Sequence, residues 1–183
     1  MKLFLIRHTK VNVPTGFCYG QTDVALADDY MSDIECVLTQ LQQKSFDRIY
    51  SSPLNRCAVL AQAIAQNIDE IQYDSRLMEM NFGLWEGRNW NDIEKTSEAK
   101  AWFEDYINIK CPEGESFTDV KNRVQSFIKE LKEEKALKNV AIVCHGGTIK
   151  TFHSILHKVS PIESFQVPVN YGQMIEMELN SHV

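Results

Sequence analysis

Three stretches deliver a cation or potential cation to the end of an apolar run: LIRHT at 5–9, IYSSPLNR at 49–56 and AIVCHGGT at 141–148. The groups delivered are Arg7 and His8, then Arg56, then His145. Two arginines and two histidines brought to one place make the kind of cluster that a phosphate dianion requires. Guanidinium forks match phosphate oxygens bidentately, and a neutral imidazole nitrogen attacks phosphorus without the charge repulsion an anionic nucleophile meets. Taken singly each piece is ordinary: an Arg-His pair on a surface, a solvated helix arginine, a tight His-Gly-Gly bend. Their recurrence at equivalent positions is what points to a site.

The elements that must position these residues follow from the hydrophobic pattern. Strands are predicted at Leu3–Arg7, Arg48–Ser51, Val140–Cys144 and Met174–Leu179, with a weaker one at Ile71–Tyr73. The first and third are nearly continuous apolar runs, as strands covered on both faces are. Helical spacing is carried by Met31, Ile34, Val37, Leu38 and Leu41, and again by Leu54, Ala58, Ala61, Ile64 and Ala65. The longest helix is predicted over about 116–135, after the Pro112 and Gly114 loop, with Ser116 and Asp119 as a capping box. Arg123 falls on its polar side with Lys121 and Lys129. A short helix is predicted from near Thr148, carrying Phe152 and Ile155. Alternating strands and helices imply an α/β layered sheet, in which ligands gather at the carboxyl ends of the strands. Helix starts at Leu54 and Thr148 would add backbone N–H groups there.

Composition bounds the rest. At 183 residues and 44% hydrophobic, the chain suits a single domain, 1–183, burying roughly 70% of its unfolded surface. A net charge of −6 offers no large basic field, so neither nucleic acid nor an anionic membrane is an expected partner. An anionic small molecule would need a locally positive pocket to be held against that charge. Five cysteines without a Cys-x-x-Cys pair read as free buried thiols, with neither a disulfide framework nor a thiolate zinc cluster. The N-terminal apolar run is cut at Arg7, short of a secretory or membrane-spanning segment, and a reducing cytoplasm is the expected location. His153 and His157 have the spacing of two ligands on one helix face, but no His-Glu-x-x-His pattern accompanies them, and no metal or other cofactor is expected.

Five motifs, LIRH at 5–8, SSPLNR at 51–56, LMEMNFGLWEG at 77–87, PEGES at 112–116 and VCHGGT at 143–148, resemble in order and spacing the histidine phosphatase superfamily. The resemblance is to the branch that contains phosphoglycerate mutase and α-ribazole phosphatase, and it covers nearly the whole chain. It implies a three-layer α/β/α sandwich with a mostly parallel central sheet, phosphoglycerate mutase-like. It also implies metal-independent phosphoryl transfer through a phosphohistidine on His8. Arg7 and Arg56 would then hold the equatorial oxygens and favour unprotonated His8, and His145 would be the second pocket histidine. The leaving alkoxide needs a proton, and residue chemistry alone leaves Asp23, Glu79, Glu86, Glu113 and Glu115 as candidates. The resemblance selects Glu79.

The chain also departs from the pattern. Thr9 stands where the superfamily usually has Gly, and Pro14 where an Asn that touches phosphate is common, with Asn12 two residues earlier. Thr9 either offers a hydroxyl to phosphate or fits the altered loop. The CYGQTD segment at 18–23 resembles the corresponding loop of short α-ribazole-phosphatase-like proteins. Tyr19 and Gln21 in it either reach the substrate's leaving group or form a surface turn around Gly20. The implied function is a phosphomonoesterase acting on a small molecule without an obligate protein partner, with α-ribazole 5'-phosphate of cobalamin biosynthesis as the named substrate. Broad-specificity, sugar-phosphate and phosphoglycerate mutase activities are alternatives, the last disfavoured by the short span between Gly87 and Pro112. A non-catalytic phosphate-binding module is the alternative of another class.

Overall fold

Leu3, Phe4, Leu5 and Ile6 are all buried in strand β1 (Lys2–Arg7), so the strand has no solvent face and needs a layer on each side. The computed structural model, which describes residues 1–65 and 70–180, shows how the chain supplies both. The other strands are β2 (Arg48–Ser51), β3 (Ile71–Tyr73), β4 (Asn139–Cys144) and β5 (Met174–Glu178), in the sheet order β3-β2-β4-β1-β5. The first four run parallel, and β5 pairs antiparallel with β1.

Period-two alternation then divides the apolar residues between two layers. Ile6, Ile49, Ala141 and Val143 pack with the buried stripes of helices α1 (Tyr30–Leu41) and α2 (Asn55–Ile64). Leu3, Leu5, Val140 and Ile142 pack on the opposite face with α5 (Phe117–Leu131) and α6 (Gly146–His157). The result is the expected three-layer α/β/α arrangement around a mostly parallel sheet. In chain order α3 (Trp90–Ile93) and α4 (Ser97–Glu104) come between α2 and α5, and α7 (Pro161–Phe165) follows α6. None of those three was expected from periodicity, because each is short.

Two differences from expectation concern helix ends. Helix α5 has the full capping box, with Asp119 N–H reaching Ser116 and the Asp119 carboxylate accepting from Ser116 N–H, but it stops at Leu131. Residues 132–135 read KEEK and carry no apolar group to hold a further turn on the sheet. Helix α6 starts at Gly146, two residues before Thr148, so the N–H groups that its first turn leaves outside the helical ladder include those of the two glycines.

The segment after Glu79 builds a small core of its own. Trp85, Ile93, Ala99 and Cys111 enclose Cys18, with Trp90 and Trp102 packed against them. Cys18 N–H donates to Arg88 O at 2.8 Å and its carbonyl accepts from Gly87 N–H at 2.9 Å, so this core pins the loop around residue 18 beside the sheet. Four of the five free cysteines are buried; Cys36 is exposed, since it sits on the solvent side of α1 between the buried Ile34 and Val37. Among the described residues no helix is long and apolar enough to cross a membrane.

Candidate active site

Register brings the sequence candidates together. Arg7 pairs with Cys144 across β1 and β4, and Ser51 with Val143 across β2 and β4, so the carboxyl ends of the three strands form one edge. His8, Ser52 and His145 continue the chain just past it, and Arg56 enters from the first turn of α2. The rings of His8 and His145 lie 5.1 Å apart, centroid to centroid, at 60°.

His8 is held in one tautomer. Its Nδ1 is 2.7 Å from the Thr9 carbonyl, an acceptor only, so Nδ1 carries the hydrogen and Nε2 keeps its lone pair. Burial, then the Arg56 charge, then Arg7 push the His8 pKa down to about 3, although the Thr9 contact pulls upward. His145 is lowered well below the ordinary value, first by burial and then by the charges of the same pocket. Its Nε2 meets Ser52 Oγ at 2.9 Å. Two neutral imidazoles thus sit among guanidinium groups.

This has a consequence for stability. An unfolded chain protonates His8 near pH 6.5, whereas the folded site resists until about pH 3, so between those values the unfolded state holds the extra proton. The group leaves stability untouched above pH 6.5 and lowers it progressively as the pH falls toward 3. The urea midpoint is therefore expected to decline from about pH 7 to about pH 4, and more shallowly in His8→Asn. Identical slopes in the two proteins would contradict the depressed pKa.

Hydrogen-bond accounting separates the arginines. Arg123 uses all five of its N–H donors, on the carbonyls of Arg76, Met78 and Glu79 and on both oxygens of Glu115. It is not a solvated residue of α5, as its position among lysines suggested, but a clamp on the strand of chain that ends in Glu79. Arg7 makes one such bond, from Nη1 to Val169 O at 2.7 Å. Arg56 makes two, to Thr22 O at 2.9 Å and Gly20 O at 2.6 Å. The Nε–H groups of Arg7 and Arg56 are buried with no partner among the described residues. Arginine–carboxylate pairs there involve Arg48, Arg76 and Arg123 instead. Buried donors without acceptors are unfavourable, and an anion with several oxygens relieves that.

The five candidate carboxylates also come apart. Asp23 accepts from Asn55 N–H at 3.0 Å, at the start of α2. Glu86 accepts from the N–H groups of Gln21, Thr22 and Phe82 and from the Thr22 hydroxyl. Glu115 is taken by Arg123, and Glu113 occupies a turn at φ 56°. Glu79 instead lies on the first turn of α6, accepting from Gly147 N–H at 2.9 Å, next to the glycine that faces the Arg7 guanidinium. A Cβ on Gly147 would collide with Glu79 Oε1, which is why the second glycine of the His-Gly-Gly run is required.

The loop residues are less uniform. Thr9 is buried and serves His8 through its carbonyl. Gln21 donates from Nε2 to Glu79 O at 3.0 Å. Tyr19 Oη lies 2.8 Å from Tyr171 Oη. Asn12 is exposed, and its N–H pairs with Ala25 O in the bridge that closes this loop. His153, half of the pair considered for metal, contacts Ser164 Oγ through Nδ1 at 3.0 Å. Three residues escaped sequence reasoning: Tyr171, Arg123 and Ser52. Only Ser52, inside the SSPLNR motif, left a signal that could have found it.

A family model described as Histidine phosphatase superfamily (branch 1) matches residues 3–182. Among curated proteins the chain is 32% identical over 154 residues to an adenosylcobalamin/alpha-ribazole phosphatase of Salmonella typhimurium, covering 81% of this chain and 76% of that one. It is 30% identical over 161 residues to phosphoserine phosphatase 1 of Hydrogenobacter thermophilus, covering 85% and 76%. Among solved structures the alpha-ribazole phosphatase from Shigella flexneri superposes with a TM-score of 0.91 at 26% identity, over 99% of this chain and 92% of that one.

Proposed function

The chain belongs to the histidine phosphatase superfamily (branch 1) and is a phosphatase, and from that premise we propose that it hydrolyses α-ribazole 5'-phosphate through a phosphohistidine on His8. One observation carries the mechanism: a neutral imidazole with its Nε2 lone pair free, beside two arginines whose buried Nε–H groups lack acceptors.

In the first step Nε2 of His8 bonds to phosphorus as the bond to the alcohol oxygen breaks, with Arg7 and Arg56 taking the charge on the three remaining oxygens. Phosphorylation makes the ring cationic, and the Thr9 carbonyl on Nδ1–H stabilises that charge. Glu79 delivers a proton to the departing alkoxide. In the second step Glu79 takes a proton from water, the water oxygen bonds to phosphorus, the P–N bond breaks, and His8 returns to its starting tautomer. His145, neutral and beside His8, completes the phosphate pocket as a hydrogen-bond donor. Arg123 and Gln21 set the acid's place by holding the Glu79 carbonyl.

The alcohol half is supported by the relatives that carry the ribazole name, one of them similar over nearly the full chain. Phosphoserine is the competing substrate, because a relative of comparable identity is named for it. A panel of α-ribazole 5'-phosphate, phosphoserine, 3-phosphoglycerate and sugar phosphates, ranked by kcat/KM with His8→Ala as control, decides. The ribazole ester is expected to lead the ranking. If phosphoserine equals or exceeds it the named substrate falls, and no turnover of any ester would leave a phosphate-binding module.

A further inference from the structure

Three of the four groups that would meet phosphate are shut in, Arg7 being half-buried: His8 is 2% exposed, and Arg56 and His145 are fully covered. Two tyrosines from segments 152 residues apart lie against them. The Tyr171 ring is 3.9 Å from Arg7 Cζ and 5.5 Å from the His8 ring. The Tyr19 ring is 5.4 Å from Arg56 Cζ. Their hydroxyls meet at 2.8 Å, so the pair runs from one arginine to the other past the nucleophile.

Both backbones are fixed. Cys18, before Tyr19, is bonded in both directions to 87–88, and Gln21 and Thr22 are held by Glu86. After Tyr171, Gly172 N–H lies 3.2 and 3.1 Å from the carbonyls of Arg7 and His8. What remains free to move is the two side chains, joined to each other by one hydrogen bond. Side-chain rotation is fast compared with loop opening, so it does not need the fold to loosen. Tyr171 is 38% exposed, which leaves one side of its ring open to an incoming group.

We propose that Tyr19 and Tyr171 form a two-leaved aromatic gate that the substrate's alcohol half parts and then lies between, selecting esters whose alcohol carries a flat ring. The inference rests on the reading of His8 as the phosphoryl acceptor and adds what reads the rest of the molecule. Each leaf is backed by a guanidinium on one face, and an aromatic ring offers its other face to a planar partner by offset stacking. A ribose with no base has nothing to place there.

The test uses esters with the same reacting bond. α-Ribazole 5'-phosphate, adenosine 5'-monophosphate and ribose 5-phosphate share the 5' ester and differ in the ring beyond the sugar. In Tyr171→Leu and in Tyr19→Leu, kcat/KM for the two ring-bearing esters relative to ribose 5-phosphate is expected to fall about tenfold, or about 1.4 kcal/mol. Tyr171→Phe, which keeps the ring and breaks the hydroxyl contact, is expected to retain the wild-type ratio, and if one leucine variant does not fold the other carries the test. The gate is overturned if all three esters fall by one factor in the leucine variants, which would make Tyr171 a support for Arg7 alone. It is overturned too if Tyr171→Phe loses the ratio as fully as leucine does. A ratio that responds for adenosine 5'-monophosphate but not for α-ribazole 5'-phosphate upholds the gate while removing the named substrate. Turnover surviving in His8→Ala removes the acceptor reading and the gate with it.

Discussion

Replacing His8 by Ala is expected to lower kcat by on the order of 10⁵-fold or more, since removal of the nucleophile from a constellation that acts as a unit removes nearly all its acceleration. Rapid-quench single turnover provides the stronger reading. The wild-type protein is expected to hold a phosphoryl label that is lost in acid and kept in alkali, as a phosphoramidate is, and the variant to hold none. Binding should behave differently from turnover. Arg7 and Arg56 keep their unfilled donors in the variant, so inhibition by inorganic phosphate is expected to persist within about tenfold. A variant that turns over within tenfold of wild type would mean that water attacks phosphorus directly and that His8 only lines the pocket. Loss of phosphate binding together with turnover would point to a collapsed site.

Glu79→Gln is expected to produce the second largest effect, and a selective one. The glutamine oxygen can still accept from Gly147 N–H, although the amide nitrogen cannot accept from Met80 N–H as Glu79 Oε1 does, so most of the local backbone contact survives while the ionisable proton is gone. Loss of a general acid typically lowers a rate by about 10²- to 10⁴-fold where the leaving group needs the proton. Alkyl phosphates should fall into that range, and p-nitrophenyl phosphate, whose leaving group departs without help, should fall far less in the first step. If Glu79 also activates the water of the second step, the aryl ester should show a burst of nitrophenolate followed by slow turnover. An equal loss across good and poor leaving groups would assign Glu79 to structure, alongside Glu86 and Glu115.

Much of the frame was legible in order along the chain. β1 and β4 announce themselves because buried parallel strands are apolar without interruption, and α5 because an apolar stripe at helical spacing follows a capping box. The short helices α3, α4 and α7 were not legible. Four, eight and five residues are too few for a period to show, and α3 and α4 are held by tryptophans and phenylalanines that pack on one another rather than on the sheet. Local chemistry explains why Arg7, His8, Arg56 and His145 could be picked out. Each sits at a strand end or a first helical turn, a position that a one-dimensional pattern marks.

What the sequence by itself determined is therefore which side chains have the chemistry and which ends of which strands carry them. Residue chemistry alone left the carboxylate open, and which one lies beside the cluster, like what covers the cluster, was decided by the tertiary structure. Five acidic residues are chemically equivalent on paper, and they part because Asp23, Glu86 and Glu115 meet a helix start, a loop and Arg123, while Glu79 meets Gly147 beside the pocket. Tyr171 reaches Arg7 because β5 returns antiparallel to β1, with Arg7 N–H bonded to Gln173 O at 3.1 Å. Such neighbours are set by the pairing of distant strands, and nothing in the spacing of a loop that reads VPVNYGQ encodes them. Charge and nucleophilicity are properties of residues, but an arginine's unfilled donors and a histidine's lone pair are properties of what surrounds them.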